Sequence, residues 1–184
     1  MRFSEVVEKA EQSMREKDYG IALSCYQEAW TLSGENFGIT ERVWLLLALA
    51  TAAVRLGDYD EAYEAIYGLF NGFAETRIVV GNPYFHLIAG LAFHGLGDAE
   101  KNETDNFART LICGGPEMFN GEDPQFLERM KQLLKPPAEL GTWDGYEGCS
   151  RDLLNGASGY VREVIAEKIG RPPPYTYENL NIGA

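Results

Sequence analysis

At 184 residues, with 45% apolar side chains and a formal net charge of −12, the chain is long enough to bury one core and carries no basic stripe of the kind that nucleic acid requires. An acidic balance instead favours fast association with basic partners, or simply keeps a surface solvated. Cys25, Cys113 and Cys149 are odd in number and far apart in sequence, which reads as reduced thiols. The opening Met1-Arg2-Phe3-Ser4-Glu5 has no apolar leader, so a cytoplasmic protein with no membrane contact is expected.

In chain order, the first signal is a hexapeptide in three states of preservation. Lys17-Asp18-Tyr19-Gly20-Ile21-Ala22 is followed by Gly57-Asp58-Tyr59-Asp60-Glu61-Ala62, and a third copy opens with Gly97-Asp98-Ala99. The spacing is constant, and each copy separates two helical patterns, so the chain is expected to be a stack of helical hairpins. Val43 to Leu56 is apolar apart from Thr51 and Arg55, too short for a bilayer span and rich in the helix formers Leu and Ala. Phe85 to His94 makes a second buried helix, entered through Asn82 as N-cap and Pro83 at the first helical position.

Gly114-Gly115 closes the third hairpin. Asp123 then caps a helix that starts at Pro124 and runs to about Leu134, its stripe formed by Phe126, Leu127, Met130, Leu133 and Leu134, and this helix is expected to cover the open end of the stack. Between Lys135 and Gly148 the helical period is lost amid prolines and glycines, and Trp143 and Tyr146 are placed to pin that loop down. Ser158 precedes a short amphipathic helix from Tyr160 to Ile169, stopped by Gly170, which is expected to dock on the repeats or on a partner ahead of a Pro172-Pro173-Pro174 tail. The expected organisation is a repeat domain with its cap over 1–134, and a loop, helix and tail over 135–184.

Residues around the turns resemble the tetratricopeptide repeat (TPR). That family places a small residue seven positions before the turn, here Ala10, Ala50 and Gly90; after it the first copy supplies Ala22, Tyr26 and Ala29, and the second Ala62, Ile66 and Leu69. In the third, Asn102 replaces alanine and Phe107 falls one residue late, so a distorted or shifted helix is expected there. The resemblance spans roughly residues 3–113. It implies an all-α, TPR-like stack of about three hairpins whose first helices line a concave groove, and it puts the groove positions at Glu8, Glu11 and Arg15, then Trp44, Thr51 and Arg55, then Tyr84, Ile88, Leu91 and His94. Trp44, Tyr84 and Arg55 are of the residue types that most often dominate interface energy, although the two aromatics could equally pack between hairpins. Arg55 is expected to face solvent.

The string from Gly115 to Leu127, Gly-Pro-Glu-Met-Phe-Asn-Gly-Glu-Asp-Pro-Gln-Phe-Leu, resembles the closing segment of bacterial TPR-like proteins found beside polymorphic toxins, which implies an immunity role. The alternative is an acidic loop and end cap and nothing more.

Other patterns carry less. Pro172-Pro173-Pro174-Tyr175 fits a WW-domain ligand as any proline run before tyrosine does, and the acceptor pattern Asn102-Glu103-Thr104 falls in a helical hairpin. His86 and His94 lie eight positions apart, about 12 Å along a helix, too far to share a metal ion. No nucleophile has a histidine partner at motif spacing and no phosphate loop is present, so no enzymatic activity, cofactor or metal is expected. The leading expectation is a protein-binding module that blocks a toxin domain. A TPR-type secretion chaperone holding an extended effector segment is the alternative, and an enzyme on a helical scaffold comes third.

Overall fold

The structure is a computed structural model that describes residues 2–34, 37–73, 77–98, 101–150 and 159–170. It is all-helical, with no strand among the described residues. The hairpins are α1 (Phe3–Arg15) with α2 (Tyr19–Ser33), α3 (Ile39–Leu56) with α4 (Tyr59–Phe73), and, after the single turn α5 (Arg77–Val80), α6 (Pro83–Gly95) with α7 (Asn102–Gly114). Each hairpin packs within itself, and α2 against α3 and α4 against α6 join one to the next. The second hairpin's first helix begins earlier than its apolar run, at Ile39.

The hexapeptide has a physical meaning. Lys17, Gly57 and Gly97 each take a left-handed conformation, with φ of 63°, 86° and 77°. The aspartate that follows then donates its backbone N–H back five residues: Asp18 to Ser13 O at 2.8 Å, Asp58 to Ala53 O at 2.9 Å and Asp98 to Phe93 O at 3.0 Å. This bond satisfies a carbonyl that the helix end would otherwise leave unpaired, and it needs a left-handed residue just before the donor. Glycine supplies that conformation freely, whereas Lys17 adopts it at a cost on the order of 1 kcal/mol.

The third copy differs by one residue. Ala22 N–H donates to Asp18 O and Ala62 N–H to Asp58 O, but in the third hairpin the corresponding bond runs from Glu103 N–H to Asp98 O, one position farther on. The helix is therefore shifted and not distorted: α7 is regular over its 13 residues. Its late Phe107 is fully buried against Gly90, where a Cβ would come within 2.5 Å of the ring.

Past α7, a 3-10 turn (Pro116–Phe119) buries Met118 and Phe119, and α8 (Pro124–Leu133) closes the stack. The Asp123 carboxylate accepts from Gln125 N–H at 2.9 Å, as the capping pattern requires. Phe126 stacks on Phe107 with centroids 4.6 Å apart. Trp143 is buried and the Tyr146 hydroxyl donates to Ile112 O at 2.7 Å, so both anchor the following loop. Cys149 N–H donates to Ile112 O and Ser150 N–H to Cys113 O, which makes neighbours of two thiols that are remote in sequence. Burial, with Cys149 beside it, pushes the Cys113 thiol up to about 11. The helix expected after Ser158 is present as α9 (Gly159–Ile169), while Ser158 itself and the proline run at 172–174 lie outside the described residues.

The close approach at Gly90 is testable. Gly90→Leu is expected to overpack the α6–α7 crossing and lower unfolding free energy by about 1–3 kcal/mol, read as a shift in the urea midpoint. An unchanged midpoint would show that Phe107 does not pack there.

Candidate functional site

The α1 end of the face where the groove residues were expected is taken by the chain's own α9. An isolated helix of this length is marginal in water, so its order comes from what it covers. Val161, Ile165 and Ile169 recur every four residues as a single stripe and are buried, at 0%, 0% and 8% exposure. α9 packs on α1 and on the 3-10 turn. At its N-terminal end the Gly159 N–H donates to Glu11 Oε1 at 3.0 Å, a carboxylate placed where the helix dipole favours one. One turn along, Arg15 holds Glu163 with two parallel bonds, each 2.9 Å. Both of these side chains remain well exposed, so the pair contributes to geometry more than to stability.

The other end of α9 enters a buried charge cluster. Glu122 accepts two bonds from Arg55, at 3.0 Å and 2.6 Å, and a third from Lys168 Nζ at 2.8 Å. Lys168 also donates to Asn120 O at 2.6 Å, and the Asn120 amide donates back to Lys168 O at the same distance. Glu122 and Lys168 side chains are only 5% and 6% exposed. Burial pushes the Glu122 carboxyl up, but the hydrogen bond and charge of Arg55, with Lys168 behind them, outweigh it and hold the group below its ordinary value. Burial lowers the Lys168 ammonium, which Glu122 in part restores. The hydrogen bond from Arg55 to Glu122 raises the guanidinium above its ordinary range. One anion between two cations is thus the ionised arrangement.

Of the residues expected to meet a partner, Glu11, Arg15 and Arg55 are engaged by α9 or by the cap. Arg55 does not face solvent as expected, because Glu122 and α9 close over it; its side chain is 26% exposed. Tyr84 and Ile88 are fully buried and Thr51 nearly so, its hydroxyl donating to Leu47 O at 2.7 Å. Burial also raises the Tyr84 hydroxyl above its usual range. Trp44 is half-buried at one edge, with Phe3 edge-on at 6.4 Å, and Leu91 packs against the core. His94 stays open, its ring against Phe126 at 4.9 Å and its Nδ1 3.2 Å from Glu103, a buried carboxylate that Arg129 also holds. Glu8 is exposed on α1.

Glu122, Lys168, Glu163 and Asn120 were not anticipated as site residues. Glu163 and Lys168 fell within the expected amphipathic helix, and Asn120 and Glu122 within the Gly115–Leu127 string, but nothing local gave any of them a role. Beside α9 a cavity of about 450 Å³ stays open, lined among others by Lys17, Tyr19, Arg55, Glu122, Tyr160 and Lys168. The two histidines do not cooperate: His86 is buried, with ring nitrogens 3.0 Å from Asn106 Oδ1 and from Val80 O, and burial lowers its pKa. Among the described residues no three His, Cys, Asp or Glu side chains gather as a metal centre, and no helix is long and apolar enough to cross a membrane.

The class of protein this defines is an all-α stack of helical hairpins on which a later helix of the same chain, α9, docks against α1 and the 3-10 turn. No protein-family model matches the chain, and no curated protein or solved structure matches it, so its function is read from its own residues.

Glu122→Gln removes the shared anion and leaves two buried cations facing each other. We expect it to weaken α9 docking by about 3 kcal/mol, seen as faster amide exchange in 159–169 with the hairpins unaffected. The pH dependence has a definite sign. A carboxyl held below its unfolded value near 4.5 contributes fully above that pH, and the contribution is lost as pH falls through the lower folded value. Amide protection in α9 should therefore fall on acidification below pH 4.5, before the hairpins open; protection that persists with the rest of the fold would refute the cluster's role.

Proposed function

We propose that this chain is a non-enzymatic, TPR-like protein-binding module of the bacterial cytoplasm that acts as an immunity protein, holding a folded toxin domain. The observation that carries this reading is the seating of α9 on α1 and the 3-10 turn, with Glu122 tying it to Arg55 of α3. An extended segment would need that face vacant, whereas a folded partner can meet the edges of the repeats, the outer side of α9 and the cap as one surface. Glu8, Arg15, Glu163 and Glu167 line that surface and remain exposed. The net charge of −12 favours a basic partner, as many domains that attack nucleic acid are, and would speed their encounter at low salt. The resemblance of Gly115–Leu127 to proteins that neighbour toxins points the same way, and the same segment contributes Glu122 to the cluster.

A second reading, a secretion chaperone, draws on one feature: the face covered by α9 accepts a helical segment through an apolar stripe and an ion pair. In that reading an effector segment replaces α9.

Co-expression with the product of the adjacent gene in a sensitive bacterium tests both. The immunity reading expects the full chain to restore growth, and a chain ending at Leu134 to fail. If the truncated chain instead bound a segment of the neighbouring product more tightly, the chaperone reading would take over. A neighbouring product that is harmless when expressed alone would leave immunity without a basis.

A further inference from the structure

A second groove runs between α4 and α7, on the side of the stack that carries the second helix of each hairpin. It encloses about 390 Å³, and Phe93 of α6 lies among its lining residues. Its aromatic wall comes from α4, where Tyr63, Tyr67 and Phe70 fall on one face by their i, i+4, i+7 spacing. Tyr63 and Tyr67 stack with centroids 6.0 Å apart at 21°, and Phe93 stands edge-on to Tyr63 at 5.9 Å. Tyr67 and Phe70 are left 53% and 45% exposed, side by side. Adjacent rings of that size held open to solvent, where every other aromatic of described burial is buried or half-buried, mark a contact surface.

The opposite wall is acidic. Asp98 and Asp105 line it, and no lysine or arginine is among the groove's lining residues. Asp98 accepts a bond from Asn102 at 2.6 Å, and Asp105 one from the exposed Arg109 at 2.8 Å, so each carboxylate keeps acceptor capacity. Ring faces opposed to carboxylates attract a cation from both sides: the ring quadrupole draws it to the face, and the carboxylates accept its N–H groups.

We propose that the α4–α7 groove is a docking site for an arginine or lysine side chain of a basic protein partner. A wholly apolar side chain would make no use of the acceptor capacity that Asp98 and Asp105 keep beside Asn102 and Arg109, and an anion would be repelled by the two carboxylates. The planar guanidinium is the better fit, since it can lie against Tyr67 while its edge donates to a carboxylate. The proposal rests on the protein-binding reading only in assigning the cation to a protein.

The test uses the full chain, labelled at its tyrosine and phenylalanine rings, titrated by NMR with capped pentapeptides Gly-Ser-Xaa-Ser-Gly in which Xaa is arginine, lysine, citrulline or leucine. Citrulline keeps the size and plane of arginine and removes its charge. Saturable shifts of the Tyr67 and Phe70 rings are expected with arginine and lysine, at least fivefold weaker with citrulline and leucine. Tyr67→Ala should weaken arginine binding at least fivefold, Tyr67→Phe should preserve it, and Asp98→Asn with Asp105→Asn should weaken it at least fivefold; circular dichroism checks that each variant folds. Leucine binding as well as arginine would overturn the proposal in favour of an apolar site. Shifts scattered over the acidic surface, or ring shifts that follow protein concentration alone, would overturn it in favour of nonspecific charge or of a second copy of this chain. Growth rescue lost with peptide binding intact would count against the immunity reading and leave this site standing.

Discussion

The arrangement turns on one carboxylate. Glu122 lies between Arg55 of α3 and Lys168 of α9, so a single side chain in the connection to α8 ties together the middle of the stack, its cap and its C-terminal helix. Each of these charges is costly to bury alone, and one anion between two cations leaves a net positive charge, which is eased by the Asn120 carbonyl that accepts a further hydrogen bond from Lys168 and by the partial exposure of Arg55. Such a cluster stabilises less than a well-packed apolar contact would. What it supplies is position: a slide of α9 by one turn would take Lys168 from Glu122 and Glu163 from Arg15.

The hairpins obey a different, local logic. A left-handed residue, an aspartate and a bond back five residues close each first helix; the first two open the hexapeptide, and the acceptor lies only four residues before it. That is why the turns at Lys17, Gly57 and Gly97 could be read from sequence, together with the small residues Ala10, Ala50 and Gly90 where helices cross. Even the single-residue insertion in the third hairpin was visible through Phe107, and the structure absorbs it in the bond from Glu103 to Asp98 without bending α7.

The site was much less legible. Arg55 reads as a groove residue because the repeat resemblance puts its position on the groove side of its helix, and nothing local says that its partner lies 67 positions on. Tyr84, Ile88 and Thr51 were placed by a repeat pattern that specifies which side of a helix they occupy, but not whether another segment covers that side. The amphipathic stripe of α9 announced that it would be buried somewhere, and its charges, Glu163 and Lys168, are what select the place. Cys113 and Cys149 failed to declare their proximity for the same reason, since the backbone pairing that joins them belongs to a loop without periodicity.

A repeat stack that docks its own helix on the first hairpin has changed which of its surfaces can work. The first helices ordinarily offer polar and aromatic groups to a ligand; here α9 engages Glu11 and Arg15, and Glu122 engages Arg55, all in cis. A ligand competing for those groups must first overcome the docking of α9, whose linkage makes it present at high effective concentration. Surfaces that need no such displacement hold the advantage: the outer side of α9, and the second helices, where Tyr67 and Phe70 remain open. Displacement becomes worthwhile only for a partner that supplies both an apolar stripe and a cation for Glu122, because either one alone leaves half of what α9 satisfies unpaired.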